Sequence, residues 1–274
     1  MTPKAMARPS IMGVVNVTPD SFSDGGQFLS VEAAVDHGLR LLEQGADLLD
    51  IGGESTRPGA QPLSAQAEID RVLPVIEALR GSTSCPISID TLKAKVARAA
   101  VRAGATIWND VTALRGSDGA ALVAAELGVP IVLMHMQGEP GTMQLAPHYE
   151  DVVAEVCAFL SERADAAMAA GVARGAISLD PGIGFGKNLS HNLTLLAHLD
   201  QIMTLGFPVL LGVSRKRFVQ AIDPMALQPT DRLGGSLAAA LAGAKAGVDV
   251  IRVHDVRETV QALRVWQAIE SARS

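Results

Sequence analysis

Polar residues that an inert core would not contain recur at the ends of short apolar runs along this chain. The carboxylates among them could accept hydrogen bonds from the N–H groups of a ligand, and the cationic residues could bind an anion. Asp and Asn also cap helices, so any single one of these residues could be an N-cap. Capping alone does not readily explain the whole set: Asn16, Asp50, Asp90, Asn109 with Asp110, His135, Asp180, Ser214, and Arg252 with His254.

Two loops that follow such runs carry further groups suited to binding. Residues 16–26 (NVTPDSFSDGG) are rich in hydroxyl and acidic side chains and end in a glycine pair, which suggests a mobile lid. Residues 53–59 (GESTRPG) place Arg57 between Thr56 and Pro58. A guanidinium can bind a carboxylate or a diphosphate bidentately. The second loop therefore indicates an anionic substrate. The alternative for both loops is an ordinary connection without a binding role.

The elements that would position these residues follow a repeated pattern of strand, loop and helix. Short β-branched runs alternating with amphipathic segments predict βαβ units and a parallel sheet. The eight predicted strands are 11–16, 47–51, 87–90, 106–110, 131–135, 177–180, 209–213 and 250–254. Eight unbroken repeats favour a closed (β/α)8 TIM barrel over a doubly wound open sheet. The carboxyl ends of barrel strands form one active-site face, so the polar residues should meet there.

Helical periodicity between the strands supports this architecture. One apolar stripe belongs to a helix that should begin after an N-cap at Ser64, and a second stripe begins at Val152. The stripes consist of Ile69, Val72, Leu73, Ile76 and Leu79, and of Val152, Val153, Val156, Phe159 and Leu160. Since no linker or low-complexity segment divides the chain, residues 1–274 are predicted to form a single domain.

Composition and charge narrow the class of protein. Hydrophobic residues make up 48% of the chain and aromatic residues 3%, so the core must consist mainly of aliphatic side chains, as buried parallel strands require. No apolar run reaches the about 18 residues that span a membrane, and Cys85 and Cys157 lack disulfide or zinc spacing. A cytoplasmic location is predicted. The net charge of −6 argues against nucleic acid and leaves a small molecule as the partner.

Seven segments in order resemble the dihydropteroate synthase family of pterin-binding enzymes. Each segment is weak alone, but the ordered set is specific and extends from about residue 11 to residue 256. The pattern is thin at residues 1–9, at residues 223–230 and in the last helix. The segments are the two loops above, SIDT at 88–91, WNDV at 108–111, LDPGIGFGK at 179–187, GVSRK at 212–216 and RVHDV at 252–256.

The resemblance implies a transferase of folate biosynthesis that condenses (7,8-dihydropterin-6-yl)methyl diphosphate with 4-aminobenzoate and releases diphosphate. A pterin presents a 2-amino group beside a ring N–H, and Asp180 is expected to accept from this pair. Asp90 and Asn109 are expected to bind other ring nitrogens, and Lys216 the pterin carbonyl and a ring nitrogen. The expected pterin diphosphate site is completed by Thr56, Met134, Phe185, Gly212, Arg252 and His254.

The resemblance also implies ligands for the second substrate and for a metal. Arg252 and His254 alternate on the last predicted strand, so both should point inward at the leaving diphosphate. Asn16 looks like the family's ligand for Mg²⁺, which takes few protein ligands and keeps its waters. A homodimer is suggested as well. The residues expected at 4-aminobenzoate are Thr56, Arg57, Pro58, Phe185 and Lys216.

An SN1-like substitution is the predicted mechanism. The C–O bond to diphosphate breaks first, and Asp90 with Asp180 stabilises the methylene cation while Mg²⁺ and cationic side chains stabilise the departing diphosphate. The arylamine is neutral at pH 7, so no strong general base is needed. Catalytic roles are assigned to Asp90, Asp180, Lys216, Arg252 and His254. Basic residues should cluster at the site despite the acidic chain, namely Arg57, Lys187, Arg215, Lys216, Arg217, Arg252 and His254.

Three other functions compete with this one. The GIGFG segment resembles a nucleotide-binding loop, but Pro181 and Asn188 break the P-loop spacing and Lys187 replaces the third glycine of the dinucleotide fingerprint. A methyltetrahydrofolate-binding methyltransferase would keep the pterin-facing acids without the diphosphate-binding segments. A catalytically silent pterin-binding paralogue should have lost Asn16, Lys216, Arg252 or His254.

Overall fold

Eight parallel strands form a closed barrel surrounded by helices. A computed structural model describes residues 8–18, 27–55, 62–139 and 141–273. The strands are β1 (Ser10–Asn16), β2 (Leu48–Gly52), β3 (Ile87–Asp90), β4 (Ile107–Asp110), β5 (Ile131–Met134), β6 (Ile177–Asp180), β7 (Leu210–Gly212) and β8 (Val250–Val253). They neighbour one another in the order β6-β5-β4-β3-β2-β1-β8-β7. A bridge between Leu179 and Val209 joins β6 to the segment before β7 and closes the ring, so the predicted TIM barrel is confirmed.

Helices follow the strands around the outside of the barrel. They are α1 (Gln27–Glu43), α2 (Ala65–Ser82), α3 (Ala94–Arg102), α4 (Ala120–Leu127), α5 (Val152–Ala169), α6 (Leu189–Ala197), α7 (Leu199–Met203), α8 (Arg217–Ile222), α9 (Leu233–Ala246) and α10 (Val256–Ser271). The Ser64 side chain accepts a hydrogen bond from the N–H of Ala67 and caps α2, as predicted. Within the described ranges, no helix is long and apolar enough to cross a membrane.

Alternation along the strands separates two layers inside the barrel. Met12, Leu48, Val132 and Leu210 pack together as an apolar plug. Two residues further along β2 and β8 the inward position carries a charged group instead, because side chains two positions apart on a strand point to the same face. Asp50 follows Leu48 in this way, and Arg252 lies beside Gly212 of β7. The plug therefore closes one end of the barrel and the polar layer forms the floor of its open end.

Three predicted strand ends were one residue too long. The fifth strand ends at Met134, the seventh at Gly212 and the eighth at Val253, so His135, Val213 and His254 follow their strands. His254 therefore lies just after the strand on which it was predicted, but it faces the same cavity as Arg252, as expected. Its position is set instead by Ser214, whose hydroxyl accepts from the His254 backbone N–H at 3.2 Å and lies 3.1 Å from its Nδ1.

Candidate active site

A cavity of about 1140 Å³ opens at the carboxyl ends of the strands. Eight strand-to-helix connections converge there, as expected for a barrel of this kind. Thr56, Arg57 and Pro58, and residues 19–26 of the predicted lid, lie outside the described residues. The predicted site residues that line the cavity are Asn16, Asp90, Asn109, Met134, Asp180, Phe185, Gly212, Lys216, Arg252 and His254.

A network of buried charges forms the floor of the cavity. The Arg252 guanidinium donates from Nε to Asp50 Oδ2 at 2.6 Å and from Nη2 to Asp90 Oδ2 at 2.8 Å. Asn109 Nδ2 donates to the same oxygen of Asp50 at 3.2 Å, which leaves the Asn109 carbonyl oxygen as its other polar end. Arg252 therefore links two carboxylates of neighbouring strands, a partnership that the predicted diphosphate role did not include.

Asp50 is a site residue that sequence reasoning did not single out beyond its strand end. Its side chain is fully buried, and it bridges Arg252 and Asn109. The signal was available, because the inward alternation of β2 carries Leu48, Asp50 and Gly52. A buried carboxylate needs a charged or hydrogen-bonding partner, and Arg252 on β8 supplies it.

The two predicted catalytic carboxylates have raised pKa values. Burial raises the pKa of Asp90 to about 7, against the opposing effect of Arg252. Burial also raises the pKa of Asp180, while a 2.7 Å hydrogen bond from the Gly182 N–H favours the ionised form. Burial thus disfavours the ionised forms, and an N–H donor or a cation placed beside Asp90 or Asp180 would offset that cost. Perturbed pKa values of this kind concentrate at functional sites.

One wall of the cavity is apolar and carries Lys216. Met134 packs in a cluster with Val111, Met143 and the ring of Phe185. The Nζ atom of Lys216 lies 4.3 Å from the centre of the Phe185 ring. Burial lowers the pKa of Lys216 to about 8, against the opposing effect of Asp180. This wall presents a flat apolar surface and a cation to the same space.

Most predicted cations at the site already have partners within the fold. Arg215 forms a two-point ion pair with Asp255, at 3.0 and 2.6 Å. Lys187 is buried and donates to backbone carbonyls. Both residues nevertheless line the cavity with Lys216, Arg217, Arg252 and His254, so the predicted clustering of basic residues on this face is confirmed for its described members. Arg217 begins α8, is exposed and lines the cavity.

An ion-pair cluster at the base of the second loop was missed. Lys93 Nζ donates to Glu54, and to Glu68 Oε2 at 2.6 Å. The other oxygen of Glu54 accepts from the Leu63 N–H at 2.8 Å and so links the two ends of the loop. Glu54 lies in the connection after β2, Glu68 in α2 and Lys93 in the connection after β3, and no local pattern predicts that they meet.

Two polar residues of the predicted strand-end set bond to groups within the fold and do not face the cavity. Asp110 accepts from the N–H groups of Thr112 and Leu114, at 2.7 and 2.9 Å. His135 is buried against Lys187. Both residues follow an inward-facing neighbour by one position and therefore point away from the cavity.

Comparison with known proteins decides the family. The model of the "Pterin binding enzyme" family matches residues 12–254. The dihydropteroate synthase of Escherichia coli (strain K12) is 48% identical over 268 residues, which cover 98% of this chain and 94% of the relative. This chain belongs to the dihydropteroate synthase family. The methyltransferase and nucleotide-binding alternatives are thereby set aside.

Solved dihydropteroate synthases share the whole barrel. The Xanthomonas albilineans enzyme with 4-aminobenzoic acid is 55% identical and superimposes with a TM-score of 0.91, covering 97% of this chain and 94% of that one. The same enzyme in complex with 7,8-dihydropteroate is 52% identical with a TM-score of 0.88, covering 97% and 95%. The likeness extends over the cavity and the strands that form its floor.

Proposed function

We propose that this chain condenses (7,8-dihydropterin-6-yl)methyl diphosphate with 4-aminobenzoate to give 7,8-dihydropteroate and diphosphate in folate biosynthesis. The observation that carries the proposal is the convergence of Asp90, Asn109, Asp180, Lys216 and Arg252 on one cavity. Membership of the dihydropteroate synthases supports it, and relatives bind 4-aminobenzoic acid and 7,8-dihydropteroate. The enzyme is accordingly a transferase of the alkyl- and aryl-transferring kind.

The floor of the cavity is the proposed pterin site. Asp180 accepts from the 2-amino group and the adjacent ring N–H, which form a donor pair that one carboxylate can bind in parallel. Asn109 donates to Asp50, and this bond turns its carbonyl oxygen toward a ligand N–H. Lys216 donates to the pterin carbonyl and a ring nitrogen, and Met134 with Phe185 packs against the flat ring.

The proposed reaction breaks the C–O bond before the C–N bond forms. The bonding electrons leave with diphosphate, and the conjugated pterin nitrogens share the positive charge of the methylene carbon. Asp90 and Asp180 stabilise that charge from the floor of the cavity, where the exclusion of water strengthens electrostatic interactions. The arylamine nitrogen then attacks the carbon and loses one proton to solvent. Arg252, through its remaining N–H groups, and His254 bind the departing diphosphate.

Magnesium is proposed at the end of β1. Asn16 lines the cavity on the side of Asp90, and its carboxamide oxygen is a hard ligand of the type Mg²⁺ accepts. One protein ligand fits the donor set, because diphosphate oxygens and water can complete six-fold coordination. When bound, the ion neutralises negative charge on the leaving group.

The second substrate is proposed to bind beside Phe185 and Lys216. The ring of Phe185 offers an apolar face to the benzene ring of 4-aminobenzoate. Thr56, Arg57 and Pro58 remain predicted contacts. The homodimer and the cytoplasmic location also remain predictions that rest on the sequence and the resemblance.

Turnover of both substrates tests the function directly. The purified protein is incubated with the pterin diphosphate and Mg²⁺, with and without 4-aminobenzoate, and dihydropteroate and diphosphate are both quantified. We expect dihydropteroate only when both substrates are present, loss of turnover with a chelator, and recovery on adding Mg²⁺. Pterin binding without diphosphate release, even with 4-aminobenzoate, would favour the silent paralogue instead.

A further inference from the structure

A buried lysine ends the glycine-rich turn that carries Phe185. Lys187 is 2% exposed, although its side chain reaches the wall of the cavity. Its Nζ donates to the carbonyl oxygens of Gly182 and Phe185, both at 3.0 Å, and lies 2.8 Å from Nδ1 of His135. The His135 carbonyl oxygen is a fourth and longer contact at 3.5 Å. The acceptors inside the fold thus account for all three protons of the ammonium group, and none is left for a substrate.

His135 is suited to be the third acceptor. Burial and the nearby Lys187 charge lower the pKa of His135 to about 3, so its ring is neutral at pH 7. The edge of the Phe159 ring packs against it, with ring centres 4.8 Å apart. A neutral imidazole with its proton on Nε2 can accept at Nδ1. Lys187 therefore sits among acceptors of the fold and not in an open anion site.

The turn itself fits closely against the segment after β5. Gly182 and Gly186 have φ values of 68° and 60°. A Cβ atom would lie 1.9 Å from the His135 carbonyl oxygen at Gly182, and 2.3 Å from that of Gln137 at Gly186. Only glycine fits these positions. The backbone of the turn thus rests against residues 135–137, and Lys187 Nζ joins the two segments by contacting His135 and the carbonyls of the turn.

Phe185 transmits this arrangement to the cavity. Its carbonyl is held by Lys187, and its ring centre lies 4.3 Å from Lys216 Nζ. A ring so close to an ammonium attracts it through the negative face of the aromatic system. The position of Phe185 therefore affects where the Lys216 cation lies.

We propose that Lys187 is a positioning residue that holds the Phe185 carbonyl and thereby places the Phe185 ring against Lys216. The effect of this placement on kcat/KM rests on the proposed function, because Phe185 and Lys216 are proposed contacts of both substrates. The placement itself does not depend on turnover. Lys187 acts through these neighbours and does not bind diphosphate.

The chain offers a direct readout of this placement. It has six lysines, at positions 4, 93, 95, 187, 216 and 245, so the NMR spectrum of protein labelled with ¹³Cε-lysine is simple. The Lys216 resonance is assigned by its absence in Lys216→Arg. We expect it to be displaced by the ring current of Phe185 in the wild type and to move toward the exposed-lysine position in Lys187→Met.

Tyr149→Phe is the matched control. The Tyr149 hydroxyl donates to the Gly186 carbonyl at 2.8 Å, so this substitution also removes a hydrogen bond from the turn but spares the Phe185 carbonyl. We expect the Lys216 resonance to stay displaced in this variant. We also expect kcat/KM for 4-aminobenzoate to fall by about 10- to 100-fold in Lys187→Met, since small misplacements have effects of this size, and to stay within about threefold in the control.

Each outcome decides the proposal. An unmoved Lys216 resonance or an unchanged kcat/KM in folded Lys187→Met refutes it. If Lys187→Met does not fold, Lys187→Ala, which also removes the donor and adds no bulk, is judged by the same two criteria. A wild-type protein without synthase activity would refute the proposed function, while the resonance would still decide whether Lys187 places Phe185 against Lys216.

Discussion

Replacing Arg252 with methionine should remove the charge that two buried carboxylates share. Arg252 lies 2.6 Å from Asp50 and 2.8 Å from Asp90, and the exposed fractions of the three side chains are 21%, 0% and 17%. Breaking a buried ion pair by removing one partner costs about 3–5 kcal/mol of unfolding free energy. The cavity admits water to the guanidinium side, so we expect the lower end, about 3 kcal/mol at pH 8.

The loss should shrink at lower pH. Burial raises the pKa of Asp90 to about 7 in the folded protein, with Arg252 opposing, against 3.8 as its ordinary value. Without Arg252 the folded pKa rises further. The folded variant then binds a proton that the unfolded chain does not, and this favours the folded state as the pH falls toward 5. The stability difference from the wild type is therefore largest at pH 8, where the carboxylate is ionised.

Urea unfolding at pH 8 and pH 5 measures both effects on the free energy of unfolding, and thermal unfolding at the same pH values measures the change in Tm. At about 2–4 °C per kcal/mol for a chain of this size, Tm should fall by roughly 6–12 °C at pH 8. Arg273→Met is the matched control, because Arg273 pairs with Glu270 at an exposed site and such pairs contribute about 0–1 kcal/mol. The double variant Asp50→Asn/Arg252→Met should be more stable than the sum of the single effects predicts, since it leaves no unpaired Asp50 charge.

The reasoning fails if Arg252→Met is as stable as Arg273→Met at pH 8. It also fails if the effects of Asp50→Asn and Arg252→Met simply add. In either case water in the cavity would stabilise the two carboxylates to the same extent as Arg252 does, and the stability of the protein would not depend on the ion pairs of Arg252.

Three further predictions concern other parts of the barrel. Lys216→Ala should raise KM for the pterin diphosphate and lower kcat together in steady-state assays, because its ammonium is proposed to bind the pterin; unchanged kinetics would remove that role. Lys93→Met should lower the free energy of urea unfolding by about 3–5 kcal/mol, since it strands the fully buried Glu68, and adding Glu68→Gln should restore part of the loss. Asp110→Ala should lower it by about 2–4 kcal/mol by leaving two backbone N–H groups without their acceptor, with kcat/KM of the folded fraction little changed.

The strands were predictable because their residues are local and periodic. β3, for example, was predicted at 87–90 and is Ile87–Asp90 in the structure. Period-two alternation then explains why Asn109 reaches the cavity and Asp110 does not. Applied to the strand ends in advance, the same rule would have separated His135 from Met134 and drawn attention to Asp50.

The pairing of charges was not predictable in the same way. Arg215 and Asp255 lie 40 residues apart and come from different connections. Lys93 meets Glu54 and Glu68 only because the barrel brings the connection after β3 against α2 and the connection before it. A sequence shows that such cations are present, but their partners depend on side-chain packing between distant loops. This is why the clustering of the cations at the cavity was predictable, but the partners that hold Arg215 and Lys187 were not.

The same packing explains how an acidic chain keeps a site for anionic substrates. Arg215, Lys187 and Arg252 line the cavity but also pair with groups inside the fold, so fewer of their N–H groups are available to a substrate than the number of lining cations suggests. The internal pairs hold the backbone and the carboxylates in place around Lys216. A fixed cation in a partly buried cavity interacts more strongly with a substrate than a mobile one in water, because the surroundings screen it less. Net charge is thus a poor guide to this site, and the rigidity of its few available charges matters more than their number.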